Sequence, residues 1–287
     1  MSKTAHQRRI SRRTFLKISG TTLLAGLGIT LSIMWLTNEY EDPVIERVSI
    51  PIPGLPPSLE GFRIAQISDI HLIPLTTIEL VNQAVQMANQ LNPDLILLTG
   101  DYVWHEVEAI HELMPSLARL NARYGVFACL GNHDLWTDVD VVMQAFRSVR
   151  VPLLVNEGLP ISVGNSNLYL ASLDDGWSGR PNLDAAMQNW PSGALPTILM
   201  MHEPDLADQY SQDPRISLQL SGHSHGGQVR FPWMGALITP YLAWKYPIGL
   251  YNVNGMWLYT NRGLGTTNIP LRVNCAPEIT EITLVRK

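Results

Sequence analysis

Cysteine is scarce in this chain: its 287 residues include only Cys129 and Cys275. That excludes a disulfide framework and the paired thiolates of a sulfur-held structural zinc site. A single bridge between the two stays open on sequence alone, but Cys129 lies in an apolar run and two buried free thiols are the expectation. Charge of one sign is also in short supply. The formal net charge is −5, and no basic patch lies beyond the N-terminus. With no aromatics interleaved among basic runs, this argues against a nucleic-acid partner. Internal repeats and low-complexity stretches are absent as well. What the chain does have is a hydrophobic fraction of 46%, enough to fill the core of one large domain or two small ones.

The first segment is an address. Lys3, Arg8, Arg9, Arg12, Arg13 and Lys17 occur with no acidic residue among them, and Ile18 to Asn38 then runs 21 residues without a charge. A basic stretch before an apolar one is the layout of an export signal. Ser11 to Lys17 spell SRRTFLK, which resembles the twin-arginine export signal; an arginine-rich signal-anchor is the other reading. Both send the body of the protein across the cytoplasmic membrane to its outer face. The apolar run ends without small residues suited to cleavage and is long enough to span a bilayer. The expectation is therefore residues 1–38 as signal and uncleaved anchor, 39–60 as linker and first strand region, and 61–287 as the catalytic domain, with the membrane and the twin-arginine machinery as partners.

The body alternates strand and helix patterns. Phe62 to Ser68 is a strand-like run that stops at Asp69, and Ile78, Val81, Val85, Ala88 and Leu91 recur at helical spacing until Pro93. Leu95 to Leu98 leads into Thr99-Gly100-Asp101. A helix through Ile110 to Leu120 precedes a strand over Gly125 to Leu130 and then Gly131-Asn132-His133-Asp134. A further helix is expected around Val141 to Val149, with short strands at Leu153 to Val155 and Leu168 to Leu173. Later strands precede His202 and His223, and Ile248 to Thr260 reads as a hairpin about Asn254-Gly255. Polar residues thus fall at the C-terminal ends of successive strands, where open α/β sheets bind ligands.

Five short motifs carry the chemistry. Asp69-Ile70-His71 offers a carboxylate and an imidazole, and Asp101 offers two oxygens able to bridge a pair of cations. Asn132 brings a neutral amide oxygen beside His133, and His202 and His223-Ser224-His225 complete a nitrogen and oxygen set with no sulfur. Each motif alone reads as a turn former, a cap or a surface histidine; together they suit Mn, Fe, Zn or Ni. Two ions about 3.5–4 Å apart can clamp both the attacking and leaving oxygens of a phosphoryl group.

In order and in composition these motifs resemble the calcineurin-like metallophosphoesterases, over roughly Ile45 to Lys287. The resemblance implies an α/β fold of four layers, two mixed sheets flanked by helices. It further implies that Asp69, His71 and His225 hold one metal ion, that Asn132, His202 and His223 hold a second, and that Asp101 bridges them. His133 would contact the substrate phosphate and protonate the leaving oxygen, with Asp134 accepting a hydrogen bond from its other ring nitrogen and so orienting it. Ser221 to Pro232 and Asn261 to Thr280 look like the membrane-associated bacterial branch, which includes exported phosphodiesterases and UDP-2,3-diacylglucosamine pyrophosphatases of lipid A synthesis.

From this follows an expected function: hydrolysis of a phosphodiester or pyrophosphate bond in an envelope-associated, lipid-linked substrate. A broad phosphomonoesterase and a non-catalytic phosphate-binding scaffold are the alternatives. Arg262, Gly263 and Arg272 are candidate contacts to the anionic substrate, or else a structural turn with a salt-bridged arginine. The apolar stretch Phe231 to Tyr246, whose sole charge is Lys245, reads equally as core beneath the site or as a surface for lipid.

Overall fold

The computed structural model describes residues 23, 26–28, 42–191 and 196–287. It divides into Met1–Tyr40 and Glu41–Lys287. In the first unit, residues 23 and 26–28 are helical; the SRRTFLK motif and most of the uncharged run lie outside the described residues. Among the described residues no helix is long and apolar enough to cross a membrane.

The second unit is built on two sheets. The first has strand order β1-β13-β2-β3-β4, with β1 Val44–Ile52, β2 Arg63–Ile67, β3 Leu95–Thr99, β4 Val126–Cys129 and β13 Glu278–Arg286. The second has order β11-β12-β8-β7-β6-β5, with β5 Glu157–Val163, β6 Ser166–Ser172, β7 Thr197–Met200, β8 Leu218–Ser221, β11 Gly249–Val253 and β12 Met256–Thr260. A two-residue ribbon, β9 Arg230–Phe231 with β10 Gly235–Ala236, stands apart. Both sheets are mixed: β2, β3 and β4 run parallel, as do β6, β7, β8 and β12, whereas β13 is antiparallel to β2 and β5 to β6.

Alternation along each strand sets the layers. Ile96 and Leu98 face the helices α1 (Ile78–Gln90), α2 (Ala109–Leu117) and α4 (Val139–Arg147), while Leu95 and Leu97 face the second sheet. There they meet Leu168, Leu170, Ile198, Met200, Leu218 and Leu220. The opposite face of that sheet, with Tyr169, Leu199 and Leu258, is covered by Ala186, Met187, Ala207 and Tyr210. The result is the expected helix, sheet, sheet, helix order. Between the sheets the buried amide of Gln66 donates to Thr99 Oγ1 and to the Ser221 carbonyl, tying the C-terminal ends of β2, β3 and β8 together.

Local signals end the elements where the site begins. Thr77 caps α1 by accepting from Leu80 N–H, and Asn92, at φ 48°, closes it in the left-handed region before Pro93. One expectation changes. Leu153 makes an isolated bridge to Ala128 and the strand begins only at Glu157, because Asn156, at φ 55°, turns the chain. The stretch expected as linker and first strand region carries β1, whose residues pair in register with β13 from Val44↔Glu278 to Ile52↔Arg286.

Candidate metal centre

The C-terminal ends of β2, β3, β4, β7 and β8 converge, and each delivers ligand-type side chains. Asp69 follows β2, Asp101 follows β3, Asn132 opens helix α3 (Asn132–Thr137) beyond β4, His202 follows β7, and His223 and His225 follow β8. Close approach of these turns depends on glycine. Gly100 has φ 92°, and a Cβ there would lie 2.7 Å from both Gly131 N and His202 Nδ1.

Two sets of ligand atoms form, each within 4.8 Å of one another: Asp69, His71 and His225, and Asp101, His202 and His223. The Asp101 carboxylate reaches into both, with Oδ2 3.4 Å from His71 Nε2 and 3.2 Å from His202 Nε2. Asp69 Oδ1 is 3.3 Å from His225 Nε2.

The outer shell fixes which ring nitrogen of each histidine faces inward. Nδ1 of His71, His202 and His225 lies 3.4, 2.6 and 3.2 Å from the carbonyls of Val103, Thr99 and Gly265, and Nε2 of His223 lies 2.7 Å from that of Tyr241. A ring nitrogen facing a carbonyl must carry the proton, so the opposite nitrogen is left as a lone-pair donor pointing into the centre. Burial supports the neutral form, pulling His71 down to about 3 and His223 to about 4. His202 is an exception: burial alone would lower it, but Asp101 and Asp69 outweigh that and raise it.

Several atoms lack a partner that protein alone would supply. His71 Nε2 and His225 Nε2 face each other at 3.0 Å, two acceptors with no proton between them. Both amide atoms of Asn132 are buried without a hydrogen bond. Buried polar groups are otherwise almost always satisfied. This donor set, two carboxylates with imidazole nitrogens and an amide, fits cations.

His133 stacks on Trp104 at 4.1 Å, and its backbone N–H donates to Asp101 Oδ1. The expected partnership with Asp134 is not found. Asp134 accepts instead from the N–H groups of Asp101, Tyr102 and Gly131, each at 2.9 Å. Successive residues of a helix point about 100° apart, so Asp134 turns toward the β3 loop while the His133 ring faces the Trp104 carbonyl, 3.3 Å from Nδ1. The two arginines are also committed inside the fold. Arg262 pairs with Glu278 at 2.7 Å and Glu46 at 2.6 Å. Buried Arg272 donates to the carbonyls of Arg262, Gly263, Gly265 and Cys275. Gly263 lies against Asp69, where a Cβ would come within 2.6 Å of the Asp69 Cβ. The structural-turn alternative accounts for all three.

Not foreseen was an aromatic rim. Trp136 touches His133 edge-on at 4.7 Å and Trp177 at 4.7 Å, and Trp177 in turn meets His223 at 5.8 Å and Tyr241 at 5.5 Å. All three rim residues are substantially exposed. Asp175 holds the Trp177 turn by accepting from the N–H groups of Trp177, Ser178 and Gly179. Of the three, Tyr241 lies in the apolar stretch singled out from the sequence, whereas Trp136 and Trp177 carried no such signal.

The family model of the calcineurin-like phosphoesterases matches residues 62–227, more than half of the chain. The chain belongs to this family. As a calcineurin-like phosphoesterase it is a phosphoester hydrolase, of a family that depends on two metal ions. The uncharacterized metallophosphoesterase YkuE of Bacillus subtilis is 35% identical over 96% of this chain and 98% of its own length. Phosphodiesterase YaeI of Escherichia coli is 29% identical, covering 96% of this chain and 100% of that protein. A transmembrane protein with metallophosphoesterase domain from Danio rerio is 32% identical over 92% of this chain, which spans 62% of that protein. Among solved structures, the sulfate thiohydrolase SoxB of Thermus thermophilus superposes with a TM-score of 0.51 at 12% identity, covering 80% of this chain and 57% of that one. That likeness is one of fold.

Proposed function

We propose that this phosphoesterase hydrolyses a phosphodiester or pyrophosphate bond of a lipid-linked substrate on the outer face of the cytoplasmic membrane. In this reading Asp69, His71 and His225 hold one ion, Asn132, His202 and His223 hold a second, and Asp101 bridges them. The observation that carries it is the set of inward ring nitrogens fixed by four backbone carbonyls, together with the orphaned amide of Asn132. Bound there, two cations would provide a water-derived nucleophile at neutral pH and offset the charge developing on phosphoryl oxygens.

The chain's own residues supply the rest. The Trp104 carbonyl fixes the proton of His133 on Nδ1, and in the cationic ring the second proton, on Nε2, goes to the leaving oxygen. Stacking on Trp104 and the Trp136 edge hold the ring in place. A diester is favoured over a monoester by the phosphodiesterase relative and by the pairing of Arg262 and Arg272 within the fold, which leaves neither guanidinium for a terminal phosphate dianion. The envelope placement draws on the basic, then uncharged, N-terminal run.

The test is turnover of bis-p-nitrophenyl phosphate, p-nitrophenyl phosphate and a UDP-diacylglucosamine analogue after stripping and reloading with Mn, Fe, Zn or Ni. We expect diester turnover that needs metal, falls by about 10²–10⁴-fold in His133→Asn, the usual worth of a general acid, and is lost in Asp101→Asn together with bound metal. Preference for the monoester would replace this reading with the phosphomonoesterase. Metal bound without turnover of any substrate would leave a phosphate-binding scaffold.

A further inference from the structure

The apolar stretch after the metal centre is not core. Trp233 is fully exposed, and Met234, Leu237, Ile238, Tyr241 and Trp244 are each more than half exposed. From Phe231 to Trp244 there is no charged side chain. A contiguous apolar surface of this kind marks a site of interaction.

Its backbone is fixed. The β9–β10 ribbon pairs Phe231 with Gly235 and presents Trp233 and Met234 at its turn. Trp233 and Leu242 stand at φ 68° and 67°, conformations that bulky residues rarely adopt. At the other end Asp205 accepts from the N–H groups of Trp244, Lys245 and Tyr246, while its own N–H donates to the Leu242 carbonyl. The side chains are therefore held out into solvent by a braced loop.

Two features point to a lipid surface as the occupant. The first is composition: tryptophan and tyrosine mixed with aliphatic residues is the mixture favoured at the headgroup level of a bilayer. The second is where the chain enters the domain. β1 runs parallel to β13, and β13 antiparallel to β2, so Val44 lies at the end of the sheet where β2 delivers Asp69. Glu46 pairs there with Arg262, whose Cγ lies 3.1 Å from the position of a Cβ built on Gly226, next to His225. In the sequence, five residues, Glu39 to Pro43, separate the uncharged run Ile18 to Asn38 from β1. The loop is at the same end of the domain as Val44, because the Tyr241 carbonyl faces His223 Nε2 at 2.7 Å.

We propose that the Phe231–Trp244 loop is a bilayer-seating surface: its aromatic and aliphatic side chains lodge among phospholipid headgroups and upper acyl chains, turning the metal centre toward phosphates held in that layer. The proposal rests on the placement at a membrane given above, not on which bond is cut. It explains why the aromatic rim is open to solvent and continuous, through Tyr241, with the loop.

The test uses the full chain, reconstituted into phosphatidylethanolamine–phosphatidylglycerol vesicles, with Ile238→Cys labelled by an environment-sensitive fluorophore. Glu112→Cys, exposed on α2, is the control, and both native thiols are buried. We expect a blue shift at 238, quenching of at least twofold by spin-labelled lipid and protection from aqueous iodide, with none of these at 112. Adding Trp233→Ser and Trp244→Ser should abolish the difference. A chain bound to vesicles with position 238 still open to iodide overturns the proposal, as does failure to bind vesicles. Protection at 238 without vesicles also overturns it, since protein would then cover the loop. Turnover of a soluble diester by the same labelled protein reads the metal centre separately.

Discussion

Asp69, His71, Asp101, His223 and His225 all take φ between 47° and 67° although none is glycine. Such conformations cost about 1–3 kcal/mol each and persist where surrounding structure enforces them. Here they aim side chains from sharp turns into one small volume. Asparagine tolerates the left-handed region better than histidine. We therefore expect His225→Asn to raise the melting temperature of metal-free protein by a few degrees while metal content falls, read by calorimetry and elemental analysis. Acid should weaken the metal-free fold through the same residues. The folded pKa of His71 lies near 3 and that of His223 near 4, both lowered by burial. Their contribution is full above an ordinary histidine pKa of about 6.5 and is lost as pH falls from there toward 4. Asp69, raised by burial to about 6, acts in the opposite direction: its contribution is lost as pH rises through 6. The His71 share is isolated by comparison: the loss of urea resistance from pH 7.5 to pH 5 should be smaller in His71→Asn than in the parent.

Between elements, Asp134 is the joint. Its carboxylate closes the N-terminal turn of α3 through Gly131 N–H and at the same time holds the turn after β3 through Asp101 and Tyr102. Asp134→Ala would leave three buried donors without an acceptor. A loss of about 2–5 kcal/mol is expected, measured by denaturant unfolding, and with it reduced metal retention. The sequence pattern could not give this role, since adjacency to His133 says nothing of the direction in which a helix turns each side chain. Strands β2, β3 and β4 were legible because both faces are buried, which leaves an uninterrupted apolar run ending at a polar residue. β5 was not legible, for Gly158 and Pro160 interrupt it, and proline is tolerated there because the strand is an edge with one neighbour. The metal-centre residues were readable from motif order, whereas the carbonyls of Val103, Gly265 and Tyr241 that orient them belong to unremarkable positions. Backbone groups leave no trace in residue identity.

Across the whole molecule, the two cysteines report on integrity. Cys129 lies between the sheets and Cys275 behind the Gly226 turn, both buried and free. Burial raises both thiols above their ordinary values, so neither forms a ready thiolate. Native protein should therefore leave both unreacted with a chromogenic disulfide at pH 8, and two equivalents should react on unfolding; reaction of either in the native state would place a thiol at the surface. The pairing of β1 with β13 has a further consequence, for synthesis. β13 is the shared neighbour of β1 and β2, yet it is translated more than 200 residues after them. A nascent chain on the ribosome exposes two unpaired strand edges until β13 emerges, the kind of edge that recruits other chains. A chain cut before Glu278 would thus leave β1 unpaired and separated from β2, a substrate for chaperones and proteases rather than a slightly shortened enzyme.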